Sequence, residues 1–73
     1  MAKATFADIK QRLSKGTCEI RFTSLISGRE IVGTYRDAGV NQSESDKILC
    51  IDTVSESYED IQIDTIKYIK NLF

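Results

Sequence analysis

Glu59 and Asp60 are adjacent carboxylates, the arrangement to test first for general acid–base chemistry, which needs two carboxyl groups converging on one substrate. On a strand, neighbours point to opposite faces, so this pair does not converge. Asp37, Glu44 and Asp46 fall in one polar stretch but lack the spacing of a calcium-binding loop. Gly28 and Gly33 do not form a phosphate-binding glycine loop. The chain has 0 histidines, which excludes a Ser-His-Asp relay, a histidine general base and an imidazole zinc site. Two cysteines, Cys18 and Cys50, are too few for an all-thiolate zinc site, and both sit within apolar runs that suit small core residues. No catalytic constellation, metal set or cofactor motif is expected, and the residues that remain are suited to binding.

Charge is unevenly distributed. Residues 1–36 hold seven basic groups and three acidic ones, a net +4, while residues 37–73 hold three basic and eight acidic, a net −5; the whole chain is −1. Lys10, Arg12 and Lys15, together with Arg21, Arg29 and Arg36, would make a basic stripe for a phosphate backbone if they share a surface. Tyr35, Tyr58 and Tyr68 are the aromatic groups available to stack on bases. The opposing possibility is that folding mixes the two charge populations over one surface. For a protein partner the candidates are Leu25 and Ile26, two large aliphatics in a short polar turn, and the acidic residues Glu56, Glu59 and Asp60. Leu25 and Ile26 have an alternative use, folding back over the core.

The elements that must position these residues are short. Thr5 and Asp8 open a stretch in which Phe6, Ile9 and Leu13 recur at helical spacing, with Gly16 as the stop, so a helix is predicted over residues 6–14. From residue 17 to 23 the chain alternates: Cys18, Ile20 and Phe22 face one way and Glu19, Arg21 and Thr23 the other. Ser27-Gly28 turns the chain into a second strand over 29–36, making a hairpin with Leu25 and Ile26 at its tip. Gly33 in mid-strand predicts a bulge or bend. Residues 37–46 form the longest loop, 48–54 a third strand, and 58–63 a fourth with Tyr58, Ile61 and Ile63 as its apolar positions. Asp64-Thr65 reads as a 3₁₀ link into a fifth strand from Ile66; the alternative is a C-terminal helix with Ile66, Ile69 and Phe73 on one face.

The expected fold is therefore mainly β: one domain over 1–73, an N-terminal helix over about 6–14, then a five-stranded, strongly bent antiparallel small barrel over about 17–73, with an α+β alternative if the last segment is helical. No apolar run is long enough for a bilayer span, and the N-terminus MAKATFADIKQ lacks an export signal, so the expected setting is the cytoplasm, with no membrane partner and with reduced thiols.

The stretch CEIRFTSLISGREIVGTYR and, after the loop, ILCIDTVSESYEDIQIDTIKYI resemble the very small phage-encoded barrels of the WYL/Sm-like group, which share an SH3-type barrel. The resemblance covers residues 18–36 and 48–69 and rests on the Phe22-Thr23 strand end, the hairpin return at Arg29, and the Ile63-Asp64-Thr65-Ile66 link. Where those relatives carry a Trp-Arg pair before the link, this chain has Tyr58-Glu59-Asp60. The resemblance implies an SH3-like, Sm-like barrel acting as a non-enzymatic accessory protein that binds and modulates a host protein. It also implies a rival, because a helix before five strands is similar to Sm-like RNA chaperones, which bind RNA and assemble through strand edges as homo-oligomers.

Overall fold

The computed structural model describes residues 5–72. Lys3, part of the basic count, and Phe73, part of the weighed C-terminal helical face, lie outside the described residues. Helix α1 spans Phe6–Ser14, as the spacing predicts. Its start is fixed reciprocally: the Asp8 N–H donates to the Thr5 hydroxyl at 3.2 Å and the Thr5 N–H donates to the Asp8 carboxylate at 3.3 Å. A nine-residue helix is not stable alone, and its apolar stripe, with Ile9 and Leu13 buried, packs against the sheet.

Five antiparallel strands follow: β1 (Cys18–Thr23), β2 (Glu30–Asp37), β3 (Lys47–Asp52), β4 (Tyr58–Gln62) and β5 (Tyr68–Asn71), in the spatial order β4-β3-β2-β1-β5. A 3₁₀ turn over Ile63–Thr65 joins β4 to β5. The chain is thus a helix-capped, small barrel-like β domain, and the C-terminal helix alternative is excluded because Tyr68–Asn71 pairs along β1. β2 joins two parts of the sheet: residues Glu30 to Tyr35 pair with β1 while Tyr35 to Asp37 pair with β3.

The core follows the predicted alternation of β1: Cys18, Ile20 and Phe22 are fully buried with Tyr35, Ile48, Cys50 and Ile61. Ile31, Ile63, Ile66 and Ile69 pack around them. Of the bulge or bend expected at Gly33, the bulge is absent: the register against β1 runs unbroken from Thr23↔Glu30 to Cys18↔Tyr35. One further expectation needs correcting. Tyr58 is not an inward position of β4; Glu59 and Ile61 share the inner face, and the pleat turns Tyr58 outward, 62% exposed.

Candidate binding surface

The β1–β2 hairpin tip is built around one serine. Ser24 is buried; its N–H donates to the Arg29 carbonyl at 2.8 Å and its carbonyl accepts from the Gly28 N–H at 2.9 Å. Its hydroxyl oxygen accepts from the N–H groups of Ile26 and Ser27 at 3.2 and 3.3 Å, and the Ser27 hydroxyl accepts from the Arg29 N–H. A serine side chain bonding the backbone two and three residues on is a tight local turn. On this fixed turn Ile26 is 93% exposed and Leu25 44% exposed, so Ile26 does not fold back over the barrel. Arg29 beside them is exposed and makes no ion pair among the described residues.

The acidic candidates do not gather with the tip. Glu56 lies in the β3–β4 turn at a left-handed φ of 58° and pairs with Arg36 at 3.6 Å. Glu59 faces inward opposite Cys50, where burial, then the charges of Asp52 and Asp60, push its carboxyl above the ordinary range. Asp60 is exposed on the other face of β4.

Three of the six basic candidates are neutralised in place. Lys10 meets Asp37 at 3.1 Å, Arg21 meets Glu30 at 3.0 Å, and Arg36 meets Glu56. Lys70 adds a contact with Glu19, whose carboxylate also accepts from the Tyr68 hydroxyl at 2.8 Å. The pairs Lys10–Asp37, Arg36–Glu56 and Lys70–Glu19 each join residues 1–36 to residues 37–73, so the charge asymmetry of the sequence is mixed on the folded surface. Arg12 and Lys15, in and just after the last turn of α1, have no ion-pair partner among the described residues. Tyr35 is corrected: it is 1% exposed, edge-on to Phe22 with ring centroids 5.6 Å apart, and its face is closed to a base. Tyr58 and Tyr68 are exposed.

Both cysteines are free and buried, and burial raises their thiols, Cys50 to about 12, so they are protonated at neutral pH. Among the described residues no three His, Cys, Asp or Glu side chains are grouped to hold a metal ion, and no helix is long and apolar enough to cross a membrane. Sequence reasoning missed Ser24 as the organiser of the tip, although a serine two and three residues before the N–H groups it binds is a readable turn signal. Compared with known proteins, the chain matches no family model, no curated protein and no solved structure.

Proposed function

We propose that this chain is a non-enzymatic binding module whose partner is a protein, engaged through the β1–β2 tip. One observation carries the reading: Ile26 is 93% exposed on a turn whose backbone is held by the buried Ser24. A large aliphatic held outward on a rigid turn loses little conformational freedom on binding, which is the property of an interface anchor. Leu25 widens the apolar contact, and Arg29, exposed and in no ion pair among the described residues, suits a partner that carries carboxylates. The resemblance to phage-encoded small barrels points to a host protein as that partner and to the cytoplasm as the setting. Nucleic-acid binding is less well supported, since Lys10, Arg21 and Arg36 already hold carboxylates and Tyr35 is enclosed.

The test is photocrosslinking in living cells with a benzophenone side chain at position 26, and at position 15 as control. The reading expects a discrete protein adduct at position 26 alone, insensitive to nuclease, competed away by excess unlabelled protein but not by Ile26→Asp. Nuclease-sensitive adducts, or competition by Ile26→Asp as strong as by the unaltered chain, overturn it.

A further inference from the structure

The β3–β4 connection repeats the turn built on Ser24. The Asp52 carboxylate accepts from the N–H groups of Val54 and Ser55 at 2.8 and 3.3 Å, as the Ser24 hydroxyl accepts from those of Ile26 and Ser27. The Glu56 N–H donates to the Asp52 carbonyl at 2.8 Å and the Asp52 N–H to the Ser57 carbonyl at 2.9 Å, matching Gly28 with Ser24 and Ser24 with Arg29. The fifth position of each turn is left-handed, with φ 71° at Gly28 and 58° at Glu56. A side chain disfavours that conformation, so the second turn keeps the shared shape against a local cost. It is also tied to the sheet: the Thr53 N–H donates to the Thr34 carbonyl at 3.0 Å, and the two threonine hydroxyls share a hydrogen bond. The third position of each turn is a β-branched aliphatic held out to solvent, Ile26 at 93% and Val54 at 86% exposure.

The topology sends both tips the same way. β1 and β3 each run antiparallel to β2, so the turns that follow them project toward the same end of β2. Ser24 bonds to Arg29 and Asp52 stands opposite Tyr35, so the turns begin six residues apart along that chain, at most about 20 Å. Val32 adds an exposed aliphatic between them, on the strand face that carries Thr34. A standard interface covers about 800 Å² of each partner, a patch about 30 Å across, so a single interface reaches both turns.

We infer that Val54 is a second anchor for the same protein that Ile26 engages, one partner spanning both tips and covering Val32. This inference rests on the binding reading of the β1–β2 tip. The partner is a protein with two separate apolar sockets, because the third position of each turn carries an aliphatic side chain, which neither binds phosphate nor stacks on a base.

The experiment places benzophenone in living cells at position 26, at position 54, and at position 40 as control, the last an aliphatic site in the β2–β3 loop that is 40% exposed. The same partner polypeptide, identified by peptide mass mapping, is expected at 26 and 54 and not at 40. Excess untagged Val54→Asp should compete for the position-26 adduct at least about tenfold less well than the unaltered chain, the loss for removing one anchor. Val40→Asp, which adds the same charge elsewhere, should compete as the unaltered chain does. An adduct at 26 with none at 54, or with a different protein at 54, overturns this inference and leaves the tip reading standing. No adduct at 26 removes both. Competition by Val54→Asp equal to that of the unaltered chain, or a loss matched by Val40→Asp, also overturns the inference. The crosslinked identities decide the question even if Val54→Asp does not fold.

Discussion

The Tyr35 ring lies over Gly33, two residues earlier on the same strand: a methyl group placed on Gly33 would fall 2.8 Å from the Tyr35 hydroxyl and 2.9 Å from a ring carbon. Residues two apart on a strand share a face, so any side chain at 33 would take the space in which the ring packs against Phe22. Gly33→Ala is expected to cost about 1–3 kcal/mol, the range for overfilling a packed core. In Tyr35→Leu the same change should cost less. Urea unfolding of both singles and the double gives the coupling, and additive costs would show that the ring does not need the cleft.

Glu59 supplies a pH signature. Its folded-state carboxyl is raised above the ordinary value of 4.5 by burial and by Asp52 and Asp60, so the folded chain holds this proton more tightly than the unfolded one. The stabilisation from that proton is complete below 4.5 and is lost as pH rises through the raised value. Glu59→Gln should therefore raise the urea midpoint at neutral pH, and the gain should shrink as pH falls below 4.5. A gain that is the same at both pH values would remove burial of the charge as its cause.

Asp37 has the opposite sign. Burial pushes its carboxyl up, but the Gly39 N–H and the Lys10 ammonium outweigh this and hold it below its ordinary 3.8. Its contribution is present above 3.8 and lost as pH falls through the lowered value. Asp37→Asn should cost about 1 kcal/mol at neutral pH, a modest figure because both partners are about one-third exposed. The difference from the unaltered chain should close in strong acid, as followed by urea unfolding across pH.

Ser24→Ala and Ile26→Asp separate presentation from contact. Ile26 is almost fully exposed, so Ile26→Asp should change stability by no more than about 0.5 kcal/mol while removing the position-26 crosslink. Ser24→Ala should cost about 1 kcal/mol and weaken competition for that crosslink, although the buried Ser24 itself touches no partner. Unimpaired competition by the serine variant would mean that the turn need not be rigid.

The helix was legible to the residue because its signals are local: Thr5 and Asp8 cap each other, and Ile9 and Leu13 lie one turn apart. The alternation of β1 was legible for the same reason. Tyr58 was misread because an apolar residue type at a strand start says nothing about which way the pleat turns there; the pairing of Glu59 with Cys50 decides it. Tyr35 was misread because its enclosure depends on the empty place at Gly33, a relation between two residues that a single-residue scale does not weigh. The exposure of Leu25 and Ile26 could be read from their place in a polar turn. The bonding of Gln42 to the Leu49 backbone and of Ser45 to the Lys47 backbone could not, since it arises only where β2 departs from β3.

The pairing of β1 with β5 has a kinetic consequence. Cys18 lies opposite Asn71 and Arg21 opposite Tyr68, so β1 sits inside the sheet with one neighbour close in sequence and the other far along the chain. The hairpin of β1 and β2 is local, but its outer edge stays open until the chain returns as β5. The rate of reaching the native state should thus be governed by this last, most distant closure, as in other small β domains rich in non-local contacts.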